Sequence, residues 1–342
     1  MTNQPRPPAI EITGLRKAFG DKTVLDGIDL TIPEGTVFAL LGPNGAGKTT
    51  TVQILSTLIP ASGGQAVVAG HDVQAEPDPV RSAIGVTGQF SAVDKLLTGR
   101  ENMLLMADLC HLGRAEGRER ATRLLEEFEL TEAAGQPAAT YSGGMQRRLD
   151  IAMTLMIRPP PTSPAPFILF LDEPTAGLDP RGRRRMWQIV RDLVADGVTI
   201  FLTTQYLEEA DELADRIAVL DRGHIVAEGT PGELKRLVPG SHIRLEFPTA
   251  AERDAAASAL PDASPEAPAA PDGESFPLRI ASDGSVGSLR AVLDRLDAHS
   301  IEVSALTVHT PDLDDAFLAL TGTPVTEAPV TEAAAAAEPA PR

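Results

Sequence analysis

"VFALLGPNGAGKTT", residues 37–50, decides how the rest of this 342-residue chain is read. Five apolar residues run into a glycine-rich turn and then into Lys48, Thr49 and Thr50. A buried strand passing through such a turn into a helix is the setting that G-x-x-x-x-G-K-[ST] requires. Gly42, Pro43, Asn44, Gly45, Ala46 and Gly47 make the turn. Its glycines let successive backbone N–H groups point inward at phosphate oxygens, and the helix N-terminus adds a favourable dipole. Lys48 is placed to meet the β- and γ-phosphates, and Thr49 to coordinate Mg²⁺. An ordinary strand–turn–helix connection is the alternative, but it requires neither the lysine nor the threonine.

"FILFLDEP" (167–174) is a second buried strand, and it ends in two carboxylates. Asp172 is placed to hold Mg²⁺ and Glu173 to polarise an attacking water. These two motifs specify a nucleotide-binding α/β fold. The alternation around them agrees: strands at 9–40, a helix at about 47–58, a hairpin at 64–75 and a short strand at 84–89. Residues 95–158 read as largely helical. Strands and helices then alternate through "VTIFLTT", a helix at 206–214, "RIAVLD" and "HIVAEG", the pattern of a largely parallel sheet.

"YSGGMQRR" (141–148) narrows the choice. Ser142 is a helix cap, and Gly143 and Gly144 leave the N–H groups behind it uncovered, which makes a second anion site. Together with "GPNGAGKT", Gln89, "LDEPTAGLD" and "TTQYLEEAD", this run resembles the ATP-binding subunits of ABC transporters. The resemblance implies a mixed-sheet core with an antiparallel β subdomain and a helical subdomain at about 95–160. It implies ATP and Mg²⁺ as ligands, with Thr49, Gln89 and Asp172 around the metal. Phe19 matches the aromatic that stacks on adenine, with a core phenylalanine as the lesser alternative. Tyr141, Ser142, Gly143, Gly144 and Met145 match the signature that closes on ATP held by a second subunit. Asp179 matches a dimer-contact residue and is also a ready N-cap for the helix that follows.

Gln205 stands where that family usually places a histidine. Glutamine cannot exchange a proton near neutral pH, but its amide can still donate to a γ-phosphate. With Glu173 intact, this reads as an active ATPase with an altered sensor. Tyr141, in place of that family's usual leucine before Ser-Gly-Gly, together with Gln205 and "PDLDDAFLALTG" near the end, resembles the daunorubicin-resistance-type subgroup, which energises drug and antibiotic export. That resemblance runs from about residue 8 to 322. "IRPPPTSPAPF" (157–167) departs from it and reads as a stiff surface loop.

Composition bounds the partners. A net charge of −18 and a pI near 4.7 oppose binding to nucleic acid or anionic lipid. No stretch approaches the ~18 apolar residues of a membrane span. No secretory signal is visible, and the single Cys110 admits no internal disulfide. The resemblance therefore implies a homodimer of ATPase subunits at the cytoplasmic face, with the permease supplied by another chain. Two alternatives stay open: a soluble ATPase of the same superfamily acting on ribosomes or DNA, and an ATP sensor that does not hydrolyse. The expected domains are an ATPase at 8–238 and a small α+β domain at 241–322 with a Pro/Ala-rich loop at 261–276. A disordered tail is expected at 323–342. His242 and His309 are isolated in the sequence and lack a metal-ligand pattern.

Overall fold

The computed structural model describes residues 8–88, 92–158, 166–237, 241–260, 263–265, 276–282, 285–309 and 311–322. Gln89, most of the proline-rich stretch, most of the Pro/Ala-rich loop and the expected tail lie outside these residues. The chain divides into two compact units, one up to Pro231 and one beginning at Gly232.

The first unit opens with a long hairpin, β1 (Pro8–Phe19) and β2 (Lys22–Pro33), followed by β3 (Val37–Leu41) and α1 (Lys48–Leu55). Next come β4 (Gly63–Val68), β5 (His71–Asp72), α2 (Pro77–Ala83) and β6 (Ile84–Thr87). Three helices follow, α3 (Gly99–Leu109), α4 (Arg114–Glu127) and α5 (Gly143–Thr154). The unit then runs through β7 (Ile168–Asp172), α6 (Pro180–Ala195), β8 (Thr199–Thr204), α7 (Leu207–Leu213), β9 (Arg216–Asp221) and β10 (His224–Gly229).

The six-stranded central sheet has the order β10-β9-β3-β8-β7-β6, parallel except where β10 meets β9. β3, β7 and β8 are buried along their whole length. That explains why they read as unbroken apolar runs: both faces of a parallel sheet are covered. Phe38, Phe201 and Phe170 sit in register on β3, β8 and β7, with ring centroids 5.7 and 5.5 Å apart. Each such buried ring contributes about 1.5–3 kcal/mol. A second, antiparallel sheet, β2-β1-β4-β5, shares its core with the central sheet through Ile10, Leu25, Ile54 and Phe170.

α3, α4 and α5 pack on one another as a helical group. Thr98 caps α3 in a reciprocal box with Glu101, which satisfies orphan donors at the helix start. Asn102, fully buried, pins the preceding loop. Its amide donates to the carbonyls of Asp94 (2.9 Å) and Thr98 (3.0 Å) and accepts from the Asp94 N–H (2.8 Å).

The second unit contains α8 (Pro231–Arg236, which begins at the boundary), β11 (His242–Phe247), α9 (Ala250–Ala259), β12 (Ala263–Pro265) and β13 (Phe276–Ala281). It ends with α10 (Val286–Ala298), β14 (Ala305–His309) and α11 (Leu313–Thr321). Its four-stranded sheet, β12-β13-β11-β14, buries Ile243, Leu245, Phe247, Leu278 and Ile280 against α9 and α10. The alternation in "HIRLEF" marks which face of the sheet is covered. The two histidines are distant in sequence but not in space. His242 and His309 are cross-strand partners with ring centroids 4.7 Å apart. Among the described residues no cluster of three or more His, Cys, Asp or Glu could hold a metal ion.

Asn102→Ala leaves both backbone groups of Asp94 without their side-chain partner inside the helical group. We expect a loss of about 2–3 kcal/mol, read as a lower urea midpoint for the first unit.

Candidate nucleotide site

The turn after β3 is shaped by close approaches. A Cβ at Gly42 would overlap the Leu220 carbonyl, and one at Gly47 would strike the Leu25 side chain. Gly47 also has φ of 117°, a region closed to most L-residues. Only glycine fits at either place, and the turn can therefore fold tightly over the start of α1.

Lys48 opens α1 and is 5% exposed. Its ammonium donates to the carbonyls of Gly42 (2.7 Å) and Pro43 (3.1 Å) and lies 3.7 Å from Glu173. Burial pushes its pKa below the usual lysine value, while the charges of Glu173 and Asp172 pull it back up. The Thr49 hydroxyl donates to Asp172 at 3.0 Å, and the Thr203 hydroxyl donates to the other Asp172 oxygen. Lys22, Val24, Asn44, Gly45, Gly47, Lys48, Thr49, Thr50 and Glu173 line one cleft of about 370 Å³. The structure thus brings the glycine-rich turn and the paired acids to one place.

Glu173 has φ of 48°, in the left-handed region that a non-glycine residue rarely enters. Its N–H is held by the Thr203 carbonyl at 3.1 Å and the Thr203 hydroxyl at 3.2 Å. Strain of this kind persists only where neighbours over-determine it.

Gln205 follows β8 directly and is half-buried. It is not among the residues lining the Lys48 cleft. Phe19 ends β1 and is 51% exposed, with the Lys17 ammonium 4.8 Å above its ring, so it is not a core residue. It pairs across the hairpin turn with Lys22, which lines the cleft. The placement of Gln89 lies outside the described residues.

The signature run forms a separate cleft of about 470 Å³. Ser142, Gly143, Gly144 and Met145 line one side, and Gly177, Leu178 and Asp179 another. Ser142 caps α5 by accepting from the Met145 N–H at 3.3 Å. A Cβ at Gly143 would meet nothing, so that helix start is open. Asp179 caps α6 by accepting from the Gly182 N–H at 2.8 Å. Tyr141 behaves differently from its neighbours: it is buried and donates to the Ala133 carbonyl at 2.7 Å. The two clefts have no lining residue in common.

Sequence reading missed some contributors. Thr203 grips both acids from the middle strand, and its only signal was its place two residues before Gln205. Glu209 on α7 is 1% exposed, and burial raises its carboxyl pKa. Neither of its oxygens has a partner at full hydrogen-bond geometry, yet Thr204, Thr175 and Trp187 all approach it. In the sequence it was one acid among several on a short helix.

The family model described as "ABC transporter" matches residues 25–176. The daunorubicin resistance ATP-binding protein DrrA2 of Streptomyces coeruleorubidus is 48% identical, over 92% of this chain and 95% of that protein. The daunorubicin/doxorubicin resistance ATP-binding protein DrrA of Streptomyces peucetius is 46% identical, over 98% of each. Among solved structures, an ATP-binding subunit of an ABC transporter is similar at a TM-score of 0.58 and 27% identity. It covers 67% of this chain and 92% of that one. With the glycine-rich turn, the paired acids and the capped signature helix all in place, the chain belongs to the ATP-binding subunits of ABC transporters, in the daunorubicin-resistance group.

Proposed function

We propose that this ATPase powers export of a drug or antibiotic, working as a head-to-tail pair beneath a separate membrane permease at the cytoplasmic face. One observation carries this reading. Lys48 and Glu173 meet in one cleft, while Ser142, Gly143 and Gly144 open into another that shares no residue with it. A single chain thus holds two half-sites apart, and a second copy can supply the missing half to each. The substrate class follows the relatives named for daunorubicin and doxorubicin resistance, which match along nearly the whole chain.

The residues have distinct tasks in this reading. The turn's N–H groups and Lys48 hold the phosphates, and Phe19 stacks on the adenine. Thr49 and Asp172 offer hard oxygen donors side by side, which suits Mg²⁺. Gln89 is assigned to the same metal by family resemblance. When bound, Mg²⁺ neutralises charge on the phosphates. Glu173 polarises the attacking water, and Gln205 donates its amide to the γ-phosphate. Ser142, Gly143, Gly144 and Met145 receive the γ-phosphate of the partner's ATP, with Tyr141 supporting them from behind and Asp179 at the contact between copies. Closing the pair supplies the stroke, and hydrolysis resets it.

Among the described residues no helix is long and apolar enough to cross a membrane; in this reading the permease is a separate chain. A net charge of −18 weighs against the ribosome or DNA alternative.

Glu173→Gln should lower turnover by a factor of about 10² or more while ATP still binds, as loss of a positioned base does. Gln205→Ala should slow hydrolysis and Gln205→His should sustain it, both followed as phosphate release. A parent-like rate in Gln205→Ala would remove the positioning role. Steady ATP binding with no phosphate release in the unmodified protein would favour the sensor reading.

Crosslinking of Glu173→Gln with ATP in native membranes should trap a pair of these chains with a multi-span protein. Monomers only, or ribosomal partners instead, would overturn the exporter reading.

A further inference from the structure

We infer that Arg147 is a positioning residue for Glu173, tying the peptides on either side of it to Gly88 just past β6; this rests on the reading of Glu173 as the residue that polarises water. Arg147 sits on α5, one turn behind the signature, with its side chain only 12% exposed. Its guanidinium reaches three backbone carbonyls that are distant in sequence. It donates to Asp172 (2.7 Å), to Pro174 (3.3 Å) and to Gly88 (2.9 Å).

Two of those carbonyls bracket Glu173. The Asp172 carbonyl belongs to the peptide entering it, and the Pro174 carbonyl lies just beyond it. From the other side, Thr203 holds the Glu173 N–H. The left-handed backbone at Glu173 therefore has fixed points before it and after it. Removing one leaves the strained residue free to relax and its carboxylate free to swing.

The third carbonyl extends the connection. Gly88 follows β6 directly. Asp150, three residues along the same helix and 3.4 Å from Arg147, accepts from the Ala92 N–H at 3.0 Å. One helix thus holds Gly88 and Ala92, and the same guanidinium grips the peptides around Glu173. Few side chains other than arginine can do this, since the planar fork presents five donors in fixed directions. A lysine would keep the charge beside Asp150 but could not span the three carbonyls.

The test is steady-state hydrolysis of Mg-ATP by the full-length chain, comparing the parent with Arg147→Lys, Glu173→Gln and the double variant. Arg147→Lys retains the charge beside Asp150, which favours folding of the variant. The expected result is a kcat lowered about 10-fold or more with KM within about twofold, the split for a group acting only in the transition state. The double variant should be no slower than Glu173→Gln alone, because Arg147 acts through Glu173. A parent-like kcat for Arg147→Lys overturns the inference, as does an equal further loss on the Glu173→Gln background. If Glu173→Gln itself keeps the parent rate, the underlying reading of Glu173 fails first, and the inference falls with it.

Discussion

A buried cation with nowhere else to go organises this molecule. Lys48 is out of water, and an unpaired ammonium there would cost several kcal/mol. Its partners are two carbonyls of its own turn and, 3.7 Å away, the Glu173 carboxylate. That pairing requires the ends of β3 and β7 to meet at one edge of the sheet, although the two strands are not neighbours. β8 lies between them and is bonded to both in register. The strand order is therefore part of the site. It puts Thr203 where its hydroxyl reaches Asp172 and its carbonyl holds the Glu173 N–H.

Motifs with a steric reason were legible in the sequence. Gly42 and Gly47 are glycines because the Leu220 carbonyl and the Leu25 side chain leave no room for a Cβ. The apolar runs of β3, β7 and β8 were legible because both their faces are buried. The helical group and the hairpins stood out through their periodicity. The helix Ala250–Ala259 was harder to read. Its signals are a Thr249 cap with Glu252 in its first turn and an alanine-rich run with little apolar contrast.

The side chains that support the site were less legible, for a different reason. Thr203, Arg147 and Glu209 act through partners far away in the chain, and each residue type is ordinary where it stands. No local spacing says that an arginine on a signature helix will span Gly88, Asp172 and Pro174. Such contacts become visible only when the sheet order brings three loops to one edge. The sequence located the chemical groups, and the fold shows what holds them.

Two departures from the family's usual residues carry different weight for this reason. Tyr141 stands where leucine is usual, and its hydroxyl meets the Ala133 carbonyl inside the helical group. A side chain at Gly99 would collide with that hydroxyl, so tyrosine and glycine form a matched pair. The substitution is absorbed by packing, away from either cleft. Gln205 is not absorbed in this way. It lies between Thr204, whose hydroxyl accepts from the Tyr206 N–H at 2.9 Å, and a helix that buries Leu207, Ala210 and Leu213. Both its flanks are fixed, so its backbone is held whatever side chain it carries. Exchanging histidine for glutamine there changes what the side chain can donate or accept. Its consequence should therefore appear in the chemistry of hydrolysis and not in the stability of the fold.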